Sequence, residues 1–497
     1  MTTRRALLTA GASPWFIPRA WAADTPRFAL GVASGQPRAD GMVLWTRLTG
    51  TDLPTRVDVQ WELAHDEGFA RIAARGVELA EAAWAHSVHA EPGGLEPGRW
   101  YWYRFQAQGQ RSRIGRTRTA PAADATASLR LALASCQRWD HGHYAAWRHL
   151  ARQDLDLVAF VGDYIYEYPS SPTALRRHSG GLLLDLDGYR ERYAQYKSDP
   201  ALQDAHAACP WLLTWDDHEV ANDYAGTASS TPLGLDLARL RTAAYQAWWE
   251  HQPLAKAQRP QAGVMRLYDR LDWGRLARVH LLDDRQYRDV QACPPLLRSS
   301  GSRTLFARDC AALNDPARTL LGREQEQWLA QGWSLDRPWN LLAQQTLMAR
   351  FSSDPAGRYW TDGWDGYPAA RARLLGAAAE RRVPGLVVLG GDVHAHHVAD
   401  LKVDFDDARG TVIGSEFCST SISSHGRKQA ALDQALPLNP HMHLARSDVR
   451  GAIVLDVQAQ QLQARLLAVD DPTDAGSPVR ELARFVVDPK QPGPQRA

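Results

Sequence analysis

Six apolar runs mark the second part of the chain, each short and each bounded by Gly, Pro, Asp or Gln. They are "LRLALASC" from Leu129, "LDLVAFVGD" from Leu155, "PWLLTWDD" from Pro210, "GRLARVHLLDDR" from Gly274, "WNLLAQQ" from Trp339 and "PGLVVLGGD" from Pro384. Runs of this length with such boundaries read as buried strands. Between them lie stretches with apolar residues at helical spacing, such as "YAAWRHLARQD" from Tyr144 and "DLARLRTAAYQAWWEHQ" from Asp236. The alternation predicts a layered α/β domain over residues 129–490. Near its end, "GAIVLDVQAQQLQARLLAV" reads as a hairpin that closes the sheet.

Residues 26–120 have a different texture. Short alternating segments, "FALGVASGQP", "GMVLWTRL", "RVDVQWELA" and "LEPGRWYWYRFQAQGQRSRIGRTRT", are broken by Gly and Pro, which predicts a small β-sandwich. The phrase "GLEPGRWYWYRF" resembles the fibronectin type III pattern, with its Leu-x-Pro turn and alternating tyrosines. "APAADATAS", Ala120 to Ser128, is small and polar and reads as a linker.

Composition narrows the classes. At 497 residues the chain exceeds one compact core. Its net charge of +1 sets up no broad field toward nucleic acid or an anionic membrane, so no stable nucleic-acid partner is expected and any basic site is local. No later run is long and apolar enough for a membrane helix. The start, "MTTRRALLTAGASPWFIPRAWAAD", pairs Arg4 with Arg5 before a mildly apolar stretch and small residues at Ala20 and Ala22. Residues 1–23 have the layout of an export signal, too short and too broken by Pro14 and Pro18 to cross a bilayer. The arginine pair points to the twin-arginine machinery, which carries folded cargo, with an ordinary secretory signal as the alternative. A periplasmic or secreted monomer is expected. Five cysteines leave at least one unpaired. Cys293 with Cys310, and Cys209 with Cys418, are candidate pairs, and Cys136 ends a strand.

Candidate chemistry changes the picture most. Four predicted strands end in acid, imidazole or thiol groups: Cys136 in "ASC"; Asp163 and Tyr166 in "VGDYIYE"; Asp216, Asp217, His218 and Asn222 in "TWDDHEVAND"; Asp392, His394 and His396 in "LGGDVHAHH". Open α/β sheets bind ligands at the carboxyl ends of their strands. One such ending is usually a turn. Four together put many carboxylates into one crevice, where isolated charges are costly, and bound cations offset them. Carboxylate, amide and phenolate oxygens suit hard ions, and imidazole and thiolate suit transition metals. A bridging Asp163 would hold two metals roughly 3.5–4 Å apart, where a metal-held water with a pKa near about 7 attacks phosphorus. No G-x-S-x-G, H-E-x-x-H or Walker loop occurs.

The ordered motifs "LASCQ", "VGDYIYEY", "TWDDHEVANDY", "LLDDRQYR" and "LGGDVHAHH", with the start and the segment "FALGVASGQP…GMVLWTRL", resemble the PhoD-type alkaline phosphatase/phosphodiesterase family. This family lies within the metallophosphoesterase superfamily and is related to the purple acid phosphatases. The resemblance implies a layered β-sandwich flanked by helices, preceded by a small fibronectin/Ig-like domain. It implies an exported phosphoesterase acting on phosphate mono- or diesters, with Fe3+ and Ca2+ as cofactors. Cys136 and Tyr166 match iron ligands, Asp163 the bridging carboxylate, and Asp217, Asn222, Asp392 and His394 further metal ligands. His218 falls where the superfamily contacts substrate phosphate. Asp223 stands where relatives often have Asn, leaving open which of Asn222 and Asp223 faces metal.

Other residues carry paired readings. Arg285 is either a planar phosphate clamp or an Arg–Asp brace at a strand end. Gln345 is either a calcium ligand or a solvated amide. His396 either reaches the site or supports it, Glu167 orients a neighbour, and Tyr164 and Tyr168 pack away from Tyr166. "GSEFCSTSISS", Gly414 to Ser424, matches a stretch near the family's active site without an assigned role. Two other classes compete: a glycoside hydrolase using a carboxylate pair, and a non-catalytic surface-binding protein with structural ions. The ester's alcohol is left to loops such as "SSPTALRRHSGGLLLDLDG".

Overall fold

Burial of period two decides how the strands are used. In Leu157–Val161, residues Leu157, Ala159 and Val161 enter one core, and Val158 and Phe160 enter another. Leu129–Ala134 divides in the same way, with Leu129, Leu131 and Leu133 on one side and Ala132 and Ala134 on the other. Strands buried on both faces need cover on both. In the computed structural model, which describes residues 26–230, 236–296, 298 and 300–497, a second sheet covers one face and helices the other. The expected export signal at 1–23 lies outside the described residues.

The first sheet has ten strands, with Leu129–Ala134, Leu157–Val161, Trp211–Thr214 and Val32–Arg38 running parallel. The second has seven, with Ala277–Leu281, Trp339–Ala343, Leu386–Gly390 and Gly414–Cys418 parallel. Their inner faces share one core that includes Leu131, Val161, Leu341, Leu389 and Phe417. Helices Ala145–Leu150, Leu186–Lys197, Pro200–Ala208 and Leu237–His251 cover the first sheet, and Arg323–Gly332 and Pro368–Glu380 the second. The layers are therefore helix, sheet, sheet, helix. All six apolar runs are strands, and Arg450–Val457 with Leu462–Val469 is the expected hairpin, bonded to Leu129–Ala134.

The sheets close tightly where their parallel strands end. A Cβ on Gly391 would stand 2.5 Å from Ser135 Oγ and 3.0 Å from Val161 Cγ2. Glycine is required there by close approach of the sheets, and the residues on either side are forced into one seam.

Residues 26–120 form two packed β layers, one of which extends into the α/β domain. Five strands, Arg56–Ala64, Ile72–Glu81, Trp100–Ala107, Gln110–Arg111 and Gly115–Arg118, form a sheet of their own. Its core, with Val59, Leu63, Tyr103 and Phe105, packs on Val32, Met42 and Leu44. Those last residues belong to Val32–Arg38 and Gly41–Arg47, which continue the ten-stranded sheet beside Trp211. The facing layer is thus shared with the α/β domain. Gly35 makes the join, since a Cβ there would meet Pro253 O at 2.5 Å and Trp211 O at 2.9 Å. Of the cysteines, Cys293 and Cys310 form a disulfide, while Cys136, Cys209 and Cys418 are free and buried, so the Cys209–Cys418 pairing does not occur.

Gly35→Ala is expected to destabilise the whole protein by about 1–3 kcal/mol, the usual cost of overpacking. Urea melts followed by tryptophan fluorescence should show a single transition moved to lower urea. A transition confined to the N-terminal sheet, with the remainder unmoved, would refute a shared frame.

Candidate active site

Because the strands around the seam run parallel, their carboxyl ends lie at one edge. The first sheet delivers Cys136, Asp163, Asp216 and Asp217; the second delivers Arg285, Gln345 and Asp392. The turns that do so are strained. Cys136, Asp163, Asp223, Asp392 and His394 have φ of 59°, 59°, 56°, 64° and 53°. A left-handed non-glycine residue costs about 1–3 kcal/mol and persists only when its surroundings hold it. Glu219 does much of the holding. Its Oε2 accepts the backbone N–H of Asp163 at 3.1 Å and of Asp216 at 2.8 Å, and its Oε1 that of Tyr164 at 2.5 Å. Gly162, at φ 108°, lets these turns touch, as a Cβ would stand 2.4 Å from Asp216 Cβ.

Three groups of ligand atoms, each within 4.8 Å of one another, follow from this packing. They are Cys136, Asp163 and His394; Asp163, Asp217 and His218; and Asp217, Asp223 and Asp362. Asp163 belongs to the first two and Asp217 to the last two, so the groups form a chain linked by shared carboxylates. Tyr166 joins the first group. Its hydroxyl donates to Asp163 Oδ2 at 2.7 Å, accepts from Ser424 Oγ at 2.8 Å and lies 3.2 Å from His394 Nε2. His394 donates from Nδ1 to His425 O at 2.7 Å, which fixes its tautomer and leaves Nε2 facing the group. His218 Nδ1 donates to Glu167 Oε2 at 2.6 Å, and Glu167 Oε1 accepts the Asn222 N–H at 2.8 Å. Glu167 is thus the orienting residue that the sequence suggests.

Electrostatics at the seam are severe. Burial pushes the carboxyls of Asp216 and Asp392 well above the usual range, and the thiol of Cys136 and the phenol of Tyr166 as well. Burial also opposes charge on Asp217 and His218. Arg285 and His218 nevertheless hold Asp217 down, and Glu167, Asp217 and Asp163 hold His218 up, as an imidazolium. Asp163 Oδ1 and Asp216 Oδ2 are buried without a hydrogen-bond donor. Orphaned carboxylate oxygens beside a thiol and an imidazole fit cation binding.

Arg285 takes the bracing arrangement. It is 1% exposed, its Nε bonds Asp216, and its Nη1 bonds Asp362 at 2.7 Å. Nη2 lies 3.8 Å from Asp217 Oδ1 and 3.9 Å from Asp392 Oδ2. Gln345 is neither solvated nor turned toward the acids. Its Nε2 donates to Thr214 Oγ1 at 2.8 Å and Trp215 O at 2.7 Å, and its Oε1 accepts the Asp284 N–H at 3.3 Å. His396 is buried away from the seam on Leu467 O and the Thr420 N–H. The Asn222 amide nitrogen donates to Ser230 Oγ at 3.4 Å, and Asp223, next to it, is a member of the carboxylate chain. Tyr164 packs in the outer core on His206, whereas Tyr168 turns its ring edge to His218 at 5.7 Å.

Sequence reasoning passed over Asp362 and Glu219. Asp362 follows a three-residue strand, Arg358–Trp360, with no apolar run to announce it. Glu219 was visible only as the last letter of "DDHE".

The sequence model of the PhoD-like phosphatase family matches residues 131–466, and that of its N-terminal domain matches residues 13–121. Alkaline phosphatase D of Bacillus subtilis (strain 168) is 41% identical over 485 residues, covering 94% of this chain and 82% of that protein. A solved structure of PhoD superposes with a TM-score of 0.89 at 40% identity, covering 96% of this chain and 93% of the other. Such a likeness, on a fold that gathers acids, imidazoles, a thiol and a phenol at one seam, defines a phosphoric ester hydrolase. The chain belongs to the PhoD-like phosphatase family.

Glu219→Gln replaces one acceptor oxygen by an N–H₂ that faces backbone N–H groups. Activity is expected to fall about 10–100-fold, as for other groups that orient ligands. Circular dichroism should remain native, and the loss should appear in aryl phosphate hydrolysis.

Proposed function

We propose that this protein is an exported phosphoesterase whose seam holds ferric iron and calcium. The observation that carries the reading is the sharing of Asp163 and Asp217 between neighbouring ligand groups. Shared carboxylates are what a closely spaced pair or row of cations requires. Cys136, Asp163, Tyr166 and His394, with Asp392 nearby, provide thiolate, phenolate and imidazole for iron. Asp163, Asp217, Asp223 and Asp362, with the amide oxygen of Asn222, provide hard oxygens for calcium. When bound, these cations offset the charge of the phosphoryl group and make a water molecule sufficiently acidic to act as nucleophile.

The protein's own groups do the remaining work. His218, held by Glu167 and charged by its acidic neighbours, donates from Nε2 to a phosphate oxygen. Arg285 stays beneath the acids as counter-charge and reaches substrate only through Nη2. Ser424 and Arg138, whose guanidinium lies 5.3 Å over the Tyr166 ring, favour an ionised phenol. The twin-arginine start fits a protein that acquires its metals before crossing the membrane as a folded monomer, its signal spanning 1–23. The N-terminal sheets over 26–120 are read as a fibronectin-like unit and 129–490 as the metallophosphoesterase-type catalytic unit.

Elemental analysis of the purified protein should find iron and calcium. Its visible spectrum should carry a violet band that Tyr166→Phe removes. Dialysis against a chelator should abolish hydrolysis of bis(p-nitrophenyl) phosphate, and iron with calcium should restore it. Full activity in an iron-free, colourless preparation would overturn the metal assignment.

A further inference from the structure

Tyr166, Glu167 and Tyr168 belong to no helix or strand, so their carbonyls have no ladder in which to bond. All three are nevertheless satisfied, and from outside the segment. Arg192, on the helix Leu186–Lys197, donates from Nη1 to Tyr166 O and, at 3.0 Å, to Tyr168 O. The Leu183 N–H donates to Glu167 O at 3.1 Å, and His178 Nδ1 meets Tyr168 O at 2.9 Å. From Nη2 the same guanidinium donates to Ser179 O at 3.3 Å and Gly181 O at 3.1 Å. One side chain thus ties the segment behind the seam to the loop over residues 169–184.

Arg192 is unusual for a buried arginine. It is 1% exposed and forms no ion pair among the described residues. An interior guanidinium keeps its charge and ordinarily takes a carboxylate partner. Here four carbonyl dipoles stand in its place, and only Nε lacks an acceptor. A carboxylate would satisfy the charge through one side chain, whereas four carbonyls turn it to fixing backbone. The backbone so fixed carries Glu167, which lies between the two clamped carbonyls. Its carboxylate accepts from His218 Nδ1 at 2.6 Å and from the Asn222 N–H at 2.8 Å. A reacting group keeps its geometry only when the residues behind it are themselves locked.

We propose that Arg192 is a positioning residue for the reaction: by clamping the carbonyls on either side of Glu167 it keeps that carboxylate on His218, and so keeps His218 turned toward the seam. The proposal rests on the reading of His218 as the group that meets phosphate. Arg192 itself does not touch substrate. The rival account is that it only staples the loop to the body of the protein, and Arg176 supplies the comparison. Arg176 pins the same loop to Asp199 at 2.7 Å, Trp139 O at 3.0 Å and Gly142 O at 2.6 Å. Among the described residues it bonds none of Tyr166, Glu167 and Tyr168.

A double-mutant cycle on the metal-loaded full-length protein, read on bis(p-nitrophenyl) phosphate, separates the two accounts. Arg192→Met is expected to lower kcat/KM about tenfold or more, and Glu167→Gln about 10–100-fold, the range for groups that orient ligands. Because both act through one contact, the double variant should match the more damaged single variant within about twofold. Arg192→Lys, whose ammonium lacks the planar fork, should recover part of the rate, and it replaces Arg192→Met in the cycle if that variant does not fold. Arg176→Met should lower the Tm yet leave kcat/KM near the wild-type value. A double variant showing the product of the two losses, or equal losses in Arg176→Met and Arg192→Met, would overturn the proposal. Inorganic phosphate gives a reading without turnover: its affinity, measured by titration calorimetry, should fall in Arg192→Met and in Glu167→Gln, and no further in the pair. An affinity that Glu167→Gln lowers and Arg192→Met leaves alone would likewise refute the clamp. A wild type inactive on the aryl diester, with the phosphate cycle intact, would count against the phosphoesterase reading and leave the clamp standing.

Discussion

Arg285 lies 1% exposed among Asp216, Asp217, Asp362 and Asp392, at a seam where seven carboxylates are nine-tenths or more buried. A buried charge without compensation costs several kcal/mol. One guanidinium directly bonds only two of these acids, Asp216 and Asp362. Arg288 adds a second cation on Asp362, and His218 a third near Asp163 and Asp217. Acidic groups still outnumber basic ones, and one oxygen each of Asp163 and Asp216 is left without a hydrogen-bond donor. Bound cations would offset this imbalance, and the groups of acids and imidazoles that could hold them include the Cys136 thiol.

The scaffold is organised to keep this arrangement from relaxing. Parallel strands fix where each acid enters, and the glycines at 162 and 391 let the layers touch. On the outer side, the loop closed by Cys293–Cys310 carries Ser300 and Ser302 onto Asp223, through Ser300 Oγ on its carbonyl at 2.9 Å and the Ser302 N–H on Oδ2 at 2.7 Å. Gln291, just before the disulfide, bonds Asp362 Oδ1 at 2.5 Å. On the inner side, the serine-rich stretch reaches back from the strand Gly414–Cys418. Ser424 Oγ bridges Cys136 O and the Tyr166 hydroxyl, both at 2.8 Å. Disulfide and serine stretch thus brace opposite ends of one carboxylate chain.

How much of this was legible in the sequence follows from what each residue leans on. Cys136, Asp163, Asp217 and Asp392 each follow a buried apolar strand, and a strand end is a position that pattern alone can locate. Their convergence follows from parallel order, which the alternation of strands and helices implies. Asp362 and Glu219 carry no such signal: one lies two residues beyond a three-residue strand, and the other works through backbone N–H groups, that of Asp216 nearby and those of Asp163 and Tyr164 far off in the chain. Arg285 was visible as a residue, but its bracing role depends on four acids from three chain segments. The shared N-terminal sheet was hidden because a strand's own pattern does not name its neighbour. Gly35 reads as a turn or bulge until Trp211 lies beside it.

The seam and the ribbon beside it have different supports. The groups assigned to the reaction sit mostly at strand ends of two packed sheets, where a shift of one turn would displace a core containing Leu131, Val161 and Leu389. Such positions tolerate little change. A hollow beside them is walled by Arg358 and Trp360 on a two-stranded ribbon, by Thr304 opposite, and by Arg427 from a loop. Those elements contribute little to the shared core, so their side chains can change without disturbing the acids. Asp362 is the point of contact between the two supports: it lies two residues beyond Trp360 and is bonded to Arg285. A change on the ribbon that moves Asp362 therefore reaches the carboxylate chain, whereas one that spares it leaves the acids where they are.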